Sequence, residues 1–165
     1  MLVSSDQAKA RRANVWGLIR GWGRCYSPVN GDSSCLTALS RAISLAIKDA
    51  GLRSEEVGQL NAHGLGTEED DIRESQAILE TLNDVPVTAP KSYFGNTGAA
   101  SGAIELAASL VLGKQRLIPP TLHYDQADPR CPVNVVHRVP QPLKSPFVMA
   151  VNWTLSGQAA ALALA

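Results

Sequence analysis

Apolar runs rich in valine and isoleucine alternate along this chain with segments of helical periodicity, and that alternation limits the fold more than any other feature. Runs near 14–21, 57–62, 85–89, 133–137 and 147–153 read as strands. The first predicted helix is capped at Ser33 or Ser34, sets Leu36, Leu39, Ile43, Ala46 and Ile47 on one face, and stops at Gly51. The second follows Thr67, carries Glu68, Glu69, Asp70 and Asp71 against the positive end of its dipole, and ends near Asn83. The third runs from about Thr97 to Leu112 through GAASGAIELAASLVLG, with Gly113 and Pro119-Pro120 beyond it. So many small residues along one helix imply another backbone packed closely against it. The tail returns as two strands about a turn near Ser156-Gly157. The order β-α-β-α-β-α-β-β is an α/β layout, a central sheet with helices on its faces.

No linker, repeat or low-complexity tract divides the 165 residues, so 1–165 is read as a single domain. Fifteen basic and fifteen acidic side chains cancel, which leaves no global field for nucleic acid or anionic lipid. No apolar run reaches the roughly 18 residues of a membrane span. The N-terminal MLVSSDQAKARRANVW lacks the apolar core of a secretion signal. Cys25, Cys35 and Cys131 are odd in number and irregularly spaced, so a cytoplasmic location is expected rather than a disulfide framework. His63, His123 and His137 lack metal-ligand spacing, and the acids at 68–71 read as helix capping, so no metal is expected. Trp16, Trp22 and Trp153 are assigned to strands as core or interface residues. Arg11, Arg12, Arg20 and Arg24 read as a solvated face.

Chemistry in α/β sheets collects in loops at the carboxyl ends of strands. Two such loops stand out, NAHGLGT at 61–67 and PKSYFGNTGAASG at 90–102. The first puts His63 between an apolar strand and two glycines. The second offers an ammonium, a carboxamide and backbone N–H groups within a few residues. A histidine and an asparagine donating toward one point suit stabilisation of an enolate or oxyanion.

These two motifs and RLIPPTLHYDQADPRC, in this order and spacing, resemble the C-terminal half of β-ketoacyl synthases. Those are the thiolase-fold condensing enzymes of fatty-acid and polyketide synthesis, and the likeness is greatest to the type that elongates acyl chains on acyl carrier protein. It runs from about Arg11 to the last strand. It implies a thiolase-like half-fold that contributes to decarboxylative Claisen condensation of an acyl thioester with malonyl-acyl carrier protein. His63 corresponds to the histidine that stabilises the malonyl enolate. Lys91 corresponds to a catalytic-site lysine, expected to pair with Glu74. Asn96 stands where elongating synthases carry a second histidine. Asparagine still donates to a carbonyl but is neither acid nor base at neutral pH. Thr67 corresponds to one of two threonines that meet the substrate's phosphopantetheine arm, and Leu65 replaces the other.

Near the C-terminus the family's glycine-rich gate loop is replaced by Asn152-Trp153-Thr154-Leu155-Ser156-Gly157, where Leu155 or Ser156 is expected to present the oxyanion-hole N–H. None of the three cysteines falls where the resemblance places the nucleophile, which belongs to the N-terminal half. The chain alone is therefore expected to be inactive and to need no cofactor beyond the arm carried by the acyl carrier protein. The partners implied are acyl carrier protein and either the N-terminal half or a second ketosynthase subunit, in a homo- or hetero-dimer. The alternative is a noncatalytic subunit resembling chain-length factors, which pairs with an active ketosynthase. Either way an apolar face is expected where the partner packs.

Overall fold

The computed structural model describes residues 1–28 and 33–165, with side chains of the first long helix described from Leu36 onward. The caps expected at Ser33 or Ser34 and the side chain of Cys35 lie outside the described residues. In chain order the elements are α1 (Ser5–Ala10), β1 (Ile19–Tyr26), α2 (Ser33–Ala50), β2 (Val57–Asn61), α3 (Glu68–Leu82), β3 (Pro86–Thr88), α4 (Lys91–Phe94), α5 (Ser101–Lys114), β4 (Leu117–Ile118), β5 (Asn134–Val135), β6 (Gln141–Pro142), β7 (Phe147–Trp153) and β8 (Gln158–Leu164). Six strands form one sheet in the order β1-β8-β7-β2-β3-β5, and β4 and β6 form a separate ribbon. Strands β7, β2, β3 and β5 are parallel, and β8 runs antiparallel to both β7 and β1.

Side chains alternate across a strand, and the two faces are covered differently. Leu60, Met149, Val151, Ala161 and Ala163 meet Ala38, Leu39, Ala42, Ile43 and Ala46 of α2 and Ala77 and Ile78 of α3 in the main core. Each fully buried Leu or Ile there contributes about 1.5–3 kcal/mol over its exposed state. The opposite face of β2 carries Gln59 and Asn61. Gln59 donates to Asn61 Oδ1 at 2.7 Å, and Asn61 in turn donates to Ser109 of α5. Helix α5 lies on that second face, in contact with β7.

Helix α5 is polar inside and apolar outside. Its buried residues are Ser101, Glu105 and Ser109, spaced four apart, while Ala103, Ala107 and Val111 are exposed. The neighbouring stretch of the same sheet face is open too, with Trp22 and Tyr26 of β1 55 % and 63 % exposed. An apolar outward face on a helix whose inward face is already packed is one built for burial on both sides. The small residues that imply a close neighbour thus face outward, uncovered by any described part of this chain.

The expected alternation is present with four corrections. The first strand begins at Ile19 and runs to Tyr26, not over 14–21. Its pattern is masked because Gly21 and Gly23 stand at two of its inward positions: a Cβ there would lie 2.4 Å from Ala50 N and 2.1 Å from Ala42 O. The backbone of α2 fills the space that apolar side chains would normally occupy. The third helix starts at Ser101, because Gly98 takes φ +62° and the chain makes only a 3-10 turn before it. Residues 133–137 supply a two-residue strand. Trp16 precedes the first strand and lies under the Lys114 ammonium, 3.5 Å from the ring centre, while Trp22 is on β1 and exposed, which leaves the interface rather than the core reading open to it.

Candidate active site

Strand β2 ends at Asn61, and the chain then turns sharply through His63 and Gly64. Both oxygens of Glu74, on the second turn of α3, accept from this bend: Oε1 from the His63 N–H at 2.7 Å and Oε2 from the Gly64 N–H at 2.8 Å. Two otherwise orphaned buried donors are thereby satisfied by one carboxylate. Glu74 is buried, and burial raises its pKa from 4.5 to about 7 against the lowering effect of those two bonds. Asp71 similarly accepts the Gly66 N–H at 3.3 Å.

His63 is 7 % exposed, as is Lys91 at the start of α4. Lys91 Nζ lies 3.2 Å from His63 Nδ1 and donates to Glu105 Oε1 at 2.8 Å. An ammonium has three protons and no lone pair, so Nδ1 is the acceptor and the ring's N–H is at Nε2. On its other sides the ring meets Trp153, with centroids 5.9 Å apart, and hydrogen-bonds the Asn152 carboxamide. Burial first, and then the Lys91 charge, lower the His63 pKa from 6.5 to about 4, against the Asp70 charge and the Asn152 bond. At neutral pH the ring is an uncharged hydrogen-bond donor.

The expected Lys91–Glu74 pair is corrected by this geometry. The partner of Lys91 is Glu105, and Glu74 is occupied by backbone. Spacing along a sequence does not say which carboxylate a lysine reaches. A signal for Glu105 is nevertheless present: apart from Lys114 at the end, it is the one charged side chain in α5.

None of the remaining expected residues touches His63 in a described interaction. Asn96 is exposed. Its Oδ1 accepts from the Gly98 N–H at 3.0 Å and from the Ser101 hydroxyl at 3.4 Å. Its amide is left to reach outward. Thr67 precedes α3, but its hydroxyl donates to Asp70 at 2.5 Å instead of capping the helix. Leu155 and Ser156 lie in the β7–β8 turn, closed by the Thr154 N–H to Gln158 O at 2.9 Å and the Gly157 N–H to Thr154 O at 3.0 Å. Gly157 has φ +88°, and a Cβ there would lie 1.9 Å from Ser27 O, so only glycine fits.

Two hollows flank the site. One, of about 700 Å³, is lined by Gly64, Leu65, Lys91, Asn96, His123 and Cys131 among others. The other, of about 630 Å³, lies on the open sheet face and is lined by Arg24, Tyr26, Asn152, Trp153 and Thr154. Asn152 thus joins the second hollow to the imidazole. Cys25 is half-buried against the main core, and burial raises the Cys131 pKa, so the Cys131 thiol is not poised as a thiolate. Among the described residues no three His, Cys, Asp or Glu side chains gather as metal ligands, and no helix is long and apolar enough to cross a membrane.

A family model described as "Beta-ketoacyl synthase, C-terminal domain" matches residues 28–125. The chain is 32 % identical over 173 residues to 3-oxoacyl-[acyl-carrier-protein] synthase 2 of Staphylococcus aureus, covering 98 % of this chain and 42 % of that protein. The crystal structure of a β-ketoacyl synthase from Burkholderia phymatum superposes with a TM-score of 0.91 at 30 % identity, over 98 % of this chain and 40 % of that one. The structure of the ishigamide ketosynthase/chain length factor gives 0.87, also at 30 % identity, over 98 % and 40 %. The chain spans about two fifths of the length of the curated relatives it matches.

Proposed function

Because this chain belongs to the β-ketoacyl synthases, as their C-terminal domain, we propose that it supplies the enolate-stabilising half of a condensing site. In that reaction a malonyl thioester on acyl carrier protein loses carbon dioxide. The electron pair of the broken C–C bond forms the thioester enolate. The enolate carbon then attacks an acyl thioester held on a cysteine of the N-terminal half and expels the thiolate. His63 donates Nε2–H to the enolate oxygen, and Asn96 donates its amide N–H beside it. Lys91 sets the local positive field, and Glu74 holds the loop. Thr67 meets the phosphopantetheine arm, which arrives on the carrier protein, and Leu155 or Ser156 presents the oxyanion-hole N–H. No other cofactor enters, and the chain without a cysteine-bearing half is inactive.

The observation that carries this reading is the buried Lys91–His63 contact. It leaves a neutral ring with a preset donor, the state that electrostatic stabilisation of an oxyanion requires. The outward apolar face of α5, with Trp22 and Tyr26 beside it, supports docking of the other half there. The test is coexpression with a cysteine-bearing N-terminal half, followed by mass spectrometry for acyl transfer and for carbon dioxide release from malonyl-acyl carrier protein. His63→Ala in a folded complex should abolish release, and release at the unsubstituted rate would refute the reading.

Two features favour a second reading. Asn96 Oδ1 is tied into its own turn, and Leu155 stands in place of a glycine-rich gate, as in a subunit that shapes a partner's acyl tunnel without reacting. In that case the chain binds a complete ketosynthase, and His63→Ala changes product length without changing release.

A further inference from the structure

Glu105 is 2 % exposed, in a helix whose outward face is apolar, and its Oε2 has no hydrogen-bond partner. A buried carboxylate with half its acceptor capacity idle is costly, and a well-packed apolar pair in place of Glu105 and Lys91 would be at least as stable. Stability alone therefore does not account for the pair. What Glu105 does is visible one contact further on. A buried lysine without a counter-ion tends to give up its proton. A neutral amine both donates and accepts, so beside such an amine the imidazole could carry its proton on either nitrogen. Glu105 stands at 2.8 Å as the counter-ion of Lys91, and the atom that the ammonium meets at 3.2 Å, Nδ1 of His63, is compelled to accept.

We propose that Glu105 is a positioning residue that acts on His63 through Lys91, fixing the imidazole proton on Nε2. Its use to the enzyme rests on the reading of His63 as the enolate's donor, but its test does not. The other groups bearing on the ring are the Asp70 charge and the Asn152 carboxamide, while Glu74 holds only its backbone. None of these reaches Nδ1 in a described hydrogen bond, so on the Nδ1 side the tautomer is imposed by Lys91, while the Asn152 carboxamide oxygen favours the same tautomer from the other side. The amide of Asn152 accepts from a ring so protonated and marks the side on which the donor is presented.

The tautomer is read directly from the two ring 15N resonances of His63 in the full chain labelled at histidine, assigned by their loss in His63→Gln. The unsubstituted protein should show the proton on Nε2, and finding it on Nδ1 would overturn the proposal without recourse to any variant. Glu105→Gln should lower the ratio of Nε2–H to Nδ1–H by about tenfold or more, the scale of one charge-assisted hydrogen bond. Glu105→Asp keeps the charge and should hold the ratio above that of Glu105→Gln. An unchanged ratio in folded Glu105→Gln, or equal ratios in the two variants, would overturn the proposal. Should Glu105→Gln fail to fold, Glu105→Met is read in its place by the same criterion. Failure of the reconstituted enzyme to condense would count against the function proposed above and leave these ratios unaffected.

Discussion

The carboxylate of Glu74 clasps the backbone on both sides of the His63 carbonyl, taking the His63 N–H at 2.7 Å and the Gly64 N–H at 2.8 Å. The imidazole is thus aimed from below by an acid on α3 and from the side by a lysine at the start of α4. Two successive β-α units, β2-α3 and β3-α4, meet at a single ring, and α5 joins them through the Glu105–Lys91 pair.

Glu74 and His63 tilt stability in opposite directions over nearly the same pH range. Glu74 titrates near 7 when folded, against an ordinary 4.5, so the folded state holds the extra proton. Its contribution is full below 4.5 and is lost as pH rises through 7. His63 titrates near 4 when folded against 6.5, so its contribution is full above 6.5 and is lost as pH falls through 4. Each is about 3 kcal/mol at most. Urea denaturation across this range should therefore be nearly flat for these two groups together. Glu74→Gln should unmask a rise in stability with pH, and His63→Gln should unmask a fall.

Titration of His63 by NMR should place its midpoint near 4, with His123 and His137 resolved separately. A midpoint near 6.5 would mean that the ring is solvated and that the Lys91 contact is not kept in solution.

Breaking the Lys91–Glu105 pair from one side should cost more than removing it altogether. Lys91→Met or Glu105→Leu alone leaves an unmatched buried charge and should lower stability by about 3–5 kcal/mol. The double substitution should recover most of that loss. Chemical denaturation of the four proteins gives the coupling energy directly.

Gly23→Ala should destabilise the domain by about 1–3 kcal/mol, the cost of overpacking, since the new methyl would lie 2.1 Å from Ala42 O. The expected sign is a lowered melting temperature with an unchanged far-ultraviolet spectrum. Gly51→Ala is a useful contrast: no atom lies within 4 Å of its Cβ position, but φ is +67°, so its penalty is one of backbone strain alone.

Val111→Lys and Trp22→Lys place charges on the outward faces of α5 and β1. Both side chains are about half exposed, so the isolated chain should melt within about 0.5 kcal/mol of the unsubstituted protein. Association with a cysteine-bearing half or a ketosynthase subunit should be lost. Retained association, measured by light scattering, would relocate the interface.

Where burial is carried by side chains, the sequence announces the fold. Phe147–Trp153 is apolar at every position but Asn152, and its predicted and observed limits coincide. Where backbone approaches backbone, as at Gly21 and Gly23, the pattern disappears, and the first strand lies several residues from its expected place. The site divides in the same way. His63 and Lys91 stand out because glycines and prolines punctuate their loops. Glu105 stands out as a lone charge in an apolar helix, but nothing in the sequence says which cation it meets, because its partner is fixed by tertiary packing. Asn96 is legible as a loop residue, but its hydrogen bonds to Gly98 and Ser101 are set by a local turn that residue type alone does not specify.

Strand β1 has one partner in the sheet, and that partner is β8. During synthesis β1 must therefore wait for nearly the whole length of this domain to emerge before any of its ladder hydrogen bonds can form. Until then the cradle that receives α2 is missing its outer wall, and the apolar side of that helix is left to a chaperone or to chance encounters. High sequence separation between paired strands slows folding. Closure of this sheet is accordingly a late event, and the period before it is when the chain is most exposed to aggregation.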